Sequence, residues 1–242
     1  MRFIRKTHYA QDINLFRHRG DVFWYGLLVA LLLVAPAGLD RFYLGEFAQV
    51  FIYAIAGIGL MLLVGFTGLV SLGHAAFLAV GAYTHAYLMN LGVPLPVALA
   101  CATVFSAVIG GLVGIPALRM TGIYLAVATL AFAVIVEQVL THWVSVTGGF
   151  RGMAVARAEL FGMDLGRPAP FYYLCLLVLI GCMFAAMNLL RSPTGRAMVA
   201  VRDSETSAQS MGIHINRTKG LAFAVSAAFT GLAGGLFAHR IG

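Results

Sequence analysis

The sequence predicts an all-α fold, a polytopic integral membrane bundle of about seven transmembrane helices with its N-terminus in the cytoplasm. Two observations lead there. Hydrophobic residues make up 61% of the chain and charged residues 10%, with a mean hydropathy of +0.91, far from the composition of soluble globular domains. Between Phe47 and Leu118 there is no Asp, Glu, Lys or Arg. Because a helix needs roughly 20 apolar residues to cross a hydrocarbon core of about 30 Å, that run holds about three crossings.

The elements follow in order. Residues 1–21 carry Arg2, Arg5, Lys6, Arg17 and Arg19 against Asp12 and Asp21 and read as a cytoplasmic tail, with 22–242 as the membrane domain. Apolar runs then fall at Val22–Leu39, Phe47–Phe66, Ser71–Leu91, Leu95–Leu118, Gly122–Trp143, Phe171–Leu190 and Gly220–Ala238. Ala35-Pro36-Ala37 also fits a cleavage site after a signal peptide, although the charged leader is long for one. With the N-terminus inside, Arg119, Arg191, Arg196, Arg202, Arg217 and Lys219 join the tail's five basic residues on the cytoplasmic side. Only Arg41, Arg151, Arg157, Arg167 and Arg240 lie outside, the bias that the positive-inside rule expects.

The charge balance of +7 and pI near 9.7 do not indicate nucleic acid, because the basic residues are distributed between apolar runs instead of forming one face. Cys101, Cys175 and Cys182 all lie within apolar runs, where a thiol packs as a small hydrophobe, so neither a disulfide framework nor a metal site is expected. The glycines, 28 in all, suit helices that approach closely in a bilayer, Gly57, Gly59, Gly110, Gly111 and Gly114 among them.

One long polar stretch interrupts the second half, "SPTGRAMVAVRDSETSAQSMGI", Ser192 to Ile213. Ser192 before Pro193 is an N-cap and first-turn pair. A second helix starts at Asp203 or Ser204, with Glu205 in its first turn, and Gly212 supplies a left-handed stop. Two short helices are expected here, where a merely orienting loop needs only charge.

Four stretches carry a resemblance. Ser192 to Ala238 is similar to the cytoplasmic loop and following helix of permease subunits of branched-chain amino-acid ABC transporters, of the LivM type. "GFTGLVSLGHAAFLAVGAYT", Gly65 to Thr84, is similar to that family's signature at the end of the second span. "ALRMTGIYLAVATLAFAVIVEQVL", Ala117 to Leu140, resembles a segment in which a carboxylate sits within the helix, and "VTGGFRGM", Val146 to Met153, its outer Thr-Gly-Gly loop.

The resemblance implies a coupling loop at 192–219 that seats in a groove of an ATPase subunit, with Arg196, Arg202, Asp203, Glu205, Ala208 and Gly212 at the matching positions. Ser207 departs from the family's usual Ala. It also implies an ATP-driven importer in the bacterial inner membrane, with two ABC ATPase subunits, a second permease subunit and a periplasmic substrate-binding protein as partners, lipid around the spans, and no nucleic acid. The cargo implied is branched-chain amino acids, with urea or short amides as the alternative. Family members continue past the helix ending near Ala238 with further spans, whereas this sequence stops at Gly242, so the expectation is a truncated product or a fold closed by fewer helices.

Candidates for the translocation path are Thr67, Ser71, His74, Glu137, Thr147, Gly148 and Gly149. Glycines and hydroxyls at 65–74 can break a helix within the membrane and leave backbone polar groups facing a pathway, although glycines that pack helices and a His74 that bonds a neighbour explain the pattern too. Glu137 is an ionisable group in a span, a functional candidate by default, yet near enough to the outer end to snorkel. The 147–149 segment faces the outer mouth or is a plain glycine turn.

No Gly-x-x-x-x-Gly-Lys-Ser/Thr loop is present, so ATP is expected to be used by partner subunits and no cofactor to be bound by this chain. A stand-alone channel or ion-coupled carrier using His74 and Glu137 is the less favoured alternative. An intramembrane enzyme lacks any paired carboxylates or His/Cys cluster at ligand spacing.

Overall fold

The computed structural model describes residues 19–117, 120, 122–156, 159–160 and 163–241. Tail residues 1–18, Arg119 and Arg157, used above for orientation, lie outside them. The chain divides into two compact units, Met1–Leu44 and Gly45–Gly242. In the first, α1 (Arg19–Gly38) is apolar from Phe23 onward and contains Pro36.

α2 (Arg41–Leu60) runs into a π-helical segment, Met61–Phe66, and is followed by α3 (His74–Asn90), α4 (Leu95–Ala117) and α5 (Ile123–His142). A short α6 (Val144–Thr147), a 3₁₀ turn (Gly149–Arg151) and a two-residue antiparallel ladder, β1 (Glu159–Leu160) with β2 (Met163–Asp164), make up the connection to α7 (Pro168–Arg191). Then come α8 (Pro193–Asp203), α9 (Glu205–Ser210) and α10 (Ile215–Ile241).

Five stretches are long and apolar enough to cross a membrane, Arg41–Phe66, Leu95–Pro116, Ile123–His142, Pro168–Arg191 and Ile215–Ile241. α3, at 17 residues, and the apolar part of α1 are shorter. Each apolar run of the sequence coincides with one of these seven helices. The third run was expected to be helical from Ser71, yet α3 starts at His74. The reason is local. Gly73 lies against the backbone of Thr129, whose hydroxyl accepts from Leu72 N at 3.0 Å, so the entry to α3 is held by α5 instead of by helical turns.

α10 is the centre of the second unit, 56% buried over its apolar window against 17% for α5 and 22% for α7. It packs most extensively on α4 and α3, through small residues: Gly231 against Gly81 and Ser106, Gly234 against the Leu78 carbonyl, and Ala227 against Gly110. Where no water is available to drive helices together, such close backbone approach supplies the van der Waals contact that does. Of the glycines singled out from the sequence, Gly59 and Gly110 sit at such approaches, while Gly57 faces open space.

Candidate functional site

The polar stretch folds as two capped helices. Ser192 Oγ accepts from Gly195 N at 3.3 Å and Pro193 occupies the first turn of α8. Ser204 Oγ accepts from Ser207 N at 3.3 Å to open α9, and Glu205 lies in that first turn. Gly212, at φ +83°, ends it, with Ile213 N donating to Ala208 O and Gly212 N to Gln209 O, both at 3.0 Å. This pair of bonds is the Schellman motif, which a residue with a Cβ adopts only under strain.

α8 is amphipathic. Gly195, Met198 and Val201 recur every third residue and are buried, while Arg196, Arg202 and Asp203 are exposed. Met198 joins Leu63, Leu69, Leu125, Ala222 and Phe223 in one cluster, so α8 is docked on the bundle by an apolar face. α9 adds buried Ala208 and an ion pair: Lys219 Nζ, on the first turns of α10, meets Glu205 Oε1 at 2.7 Å, with the lysine side chain 1% exposed and the glutamate 41%. From α8, Arg202 Nη1 donates to Gly65 O at 2.9 Å, while its Nε and Nη2 donate to Asp203 Oδ1 at 3.1 and 3.0 Å. Arg196 Nη1 donates to Arg191 O at 3.0 Å. Met211, beside the Gly212 stop, is 83% exposed.

The structure places the broken second span directly against this element. After the π segment, Thr67 Oγ1 donates back to Leu62 O at 3.0 Å and Gly68 turns the chain at φ +73°. Thr67 and Ser71 are buried. His74 then links three elements: its Nε2 is 2.7 Å from Ser226 Oγ on α10, its Nδ1 3.3 Å from Ser71 Oγ, and Ser226 Oγ donates to Gly59 O at 2.7 Å. That last bond uses the serine's only hydrogen. His74 therefore donates from Nε2 and, in the neutral ring, accepts at Nδ1, a tautomer assigned from the network. Ser226→Ala removes the second donor on the Gly59 carbonyl and leaves the His74 ring N–H without its partner, and is expected to cost about 1–2 kcal/mol, read as a lowered unfolding midpoint in nanodiscs. An unchanged midpoint would show that water replaces the hydroxyl there.

Among the described residues, no bond joins Glu137 or the 147–149 segment to this network. Glu137 is exposed on α5, with its carbonyl accepting from Thr141 Oγ1 at 2.9 Å. Thr147 is buried, its hydroxyl 2.8 Å from Trp143 O and accepting from Gly149 N at 3.3 Å. Gly148 and Gly149 take φ +74° and +62°. The loop they begin is fastened to α3 by Asn90, whose Nδ2 donates to Ala154 O at 2.9 Å and whose Oδ1 accepts from Ala156 N at 3.1 Å. Beneath it lies an apolar recess of about 270 Å³ lined by Leu78, Ala82, Tyr83, Met153, Val155 and Phe237.

Sequence reasoning read Lys219 only as an orienting charge and passed over Ser226, Asn90 and a histidine pair, His85 Nε2 with His239 Nε2 at 2.8 Å. The histidines carried a usable signal, being ionisable residues within apolar runs. Ser226 and Asn90 carried none, since a lone small polar residue in a helix is ordinary.

Comparison with known proteins bears on the whole arrangement. The family model described as branched-chain amino acid transport system / permease component matches residues 42–242. The chain is 37% identical over 243 residues to the high-affinity branched-chain amino acid transport system permease protein LivM of Escherichia coli K12, and 36% identical to that of Salmonella typhimurium LT2. Each match covers 89% of this chain and 57% of the relative. The autoinducer 2 import system permease protein LsrC of Shigella flexneri is 30% identical over 225 residues, covering 89% of this chain and 63% of the relative. The chain thus spans little more than half the length of the LivM relatives it matches. No solved structure matches it.

Proposed function

From the premise that this chain belongs to the branched-chain amino acid transport permease family, we propose that it is a permease subunit of an ATP-binding-cassette importer, lining part of the path for branched-chain amino acids across a bacterial inner membrane. It is a multi-pass membrane protein and a transport component. Two ATPase subunits that consume ATP, a second permease and a periplasmic binding protein complete the proposed machine, with the Ser192–Gly212 element on the cytoplasmic side.

The observation that carries the proposal is the docked, twice-capped element itself. Its buried side is fixed to the bundle by Met198, Val201 and the Lys219–Glu205 pair, and its outward side presents Arg196, Ser207, Gln209 and Met211. An exposed methionine at the tip of a rigid polar element suits a pocket on a partner, since its flexible thioether adapts to the surface it meets. ATP binding in the partner then needs to favour one access state by only a few kcal/mol, and the path candidates Thr67, Ser71 and His74 lie next to the part that moves. The LsrC relatives belong to a different import system, so the cargo is the finer part of the proposal.

Gly212→Pro tests it. Proline fixes φ near −65° and removes the N–H that bonds Gln209 O, so α9 loses its stop and the tip is displaced. Uptake of radiolabelled leucine by cells expressing the complete transporter is expected to fall at least ~10-fold, the change produced by a loss of about 1.4 kcal/mol of coupling free energy, with membrane insertion unchanged. Wild-type uptake by this variant would refute the loop as the transmission element.

A further inference from the structure

We propose that Arg202 caps the broken second span in trans, as a positioning residue that holds the Met61–Phe66 segment in its π register, so that displacement of α8 re-registers that segment. What displaces α8 rests on the function proposed above; the cap itself does not.

A helix end leaves its last carbonyls without intrahelical partners. At this end three carbonyls have found one locally. Leu62 O accepts from Thr67 Oγ1, Leu63 O from Leu69 N at 3.1 Å, and Val64 O from Gly68 N at 3.2 Å. Gly65 O instead accepts from a residue 137 positions away, Arg202. The guanidinium is aimed by its neighbour: Asp203 Oδ1 takes Nε and Nη2, which leaves Nη1 pointing at the carbonyl. A cation at a helix C-terminus also complements the dipole there. Gly68 completes the fit, since a Cβ on it would stand 2.9 Å from Arg202 Cγ. Leu63 and Leu69, on either side of the break, share their cluster with Met198, one turn before Arg202 on α8.

π-helical turns are rare and concentrate at functional sites. A π turn holds one more residue than the α turn it replaces, so its conversion rotates the chain beyond it by about 100°. The residues beyond it are Thr67, Ser71 and His74. A segment with two discrete registers, one stabilised by a side chain on the docked element, is the kind of bistable part through which a small displacement becomes a defined rearrangement.

The test uses the full chain in lipid nanodiscs, alone and within the assembled transporter. In the chain alone, hydrogen exchange of the peptide spanning 61–70 is expected to quicken at least ~10-fold in Arg202→Ala, the loss of one charged hydrogen bond, and partly in Asp203→Asn and Arg202→Lys, with the 97–110 peptide of α4 unchanged. Unchanged exchange at 61–70 in Arg202→Ala overturns the cap. In the transporter assembled with ATPase subunits and a leucine-loaded binding protein, Arg202→Ala is expected to lower the ratio of stimulated to basal ATP hydrolysis, read on complexes matched for subunit content, with Arg202→Lys restoring part. Full stimulation in Arg202→Ala overturns the transmission role. Failure of the wild-type chain to co-purify with any ATPase would instead refute the importer reading, while the exchange result still decides the cap.

Discussion

Gly234→Leu is expected to abolish recovery of folded, monodisperse protein, whereas Gly57→Leu leaves it unchanged. A Cβ at position 234 falls on the Leu78 carbonyl and 2.9 Å from Ala82 N, and both obstacles are backbone. A side chain can swing away from an intruding methyl; a helix cannot yield without moving as a whole. α3 and α10 would have to separate, opening the Gly81–Gly231 approach and the His85–His239 bond along the same crossing. Overpacking a core typically costs 1–3 kcal/mol where side chains absorb it, and here none can, so about 3 kcal/mol is a lower bound. Position 57 has no atom within 4 Å, which makes it the control for added bulk alone. Size-exclusion profiles of detergent-extracted protein report both, and a symmetric wild-type peak from Gly234→Leu would show that the α3–α10 crossing is looser than described.

The second large effect is an asymmetry. Glu205→Ala is expected to destabilise the chain by about 3 kcal/mol, while Lys219→Met costs less than about 1 kcal/mol, although both remove the same ion pair. The difference follows from which partner is out of water. Lys219 is 1% exposed, so without the carboxylate its ammonium is left buried and uncompensated. Glu205 is 41% exposed and keeps its hydration when the lysine goes. Methionine fills the space of the lysine stem with a similar apolar shape. The double variant should recover most of the loss from Glu205→Ala. Unfolding midpoints in nanodiscs for the three variants provide the check, and equal losses from the two single variants would contradict the burial argument.

What could be read from the sequence was whatever is encoded within a few residues. Ser192 with Pro193, Ser204 with Glu205, and the Gly212 stop all behave as their local chemistry dictates, because a cap needs only the next turn of chain. The seven apolar runs were legible for the same reason, each being a property of about 20 consecutive residues. The site itself was not. Arg202 finds Gly65 across 137 residues and Ser226 finds Gly59 across 167, pairings that depend on which helices pack together, about which one sequence says nothing. His74 shows the boundary well: its neighbour Ser71 was visible at three residues' distance, its stronger contact Ser226 was not. The π segment was invisible in a different way, for "MLLVGF" has the apolar composition of any continuing span.

Asn90 spends both halves of its amide on the backbone at Ala154 and Ala156, standing in for one rung of a sheet. The covering segment, although delivered by α5, is therefore riveted to α3, and Val155 between the two rivets faces the same hollow as Leu78 and Ala82 from α3 itself. Roof and one wall therefore stay together when α3 shifts, while Phe237 and Ala238 of α10 form the wall they slide against, so the hollow widens or narrows with the α3–α10 crossing.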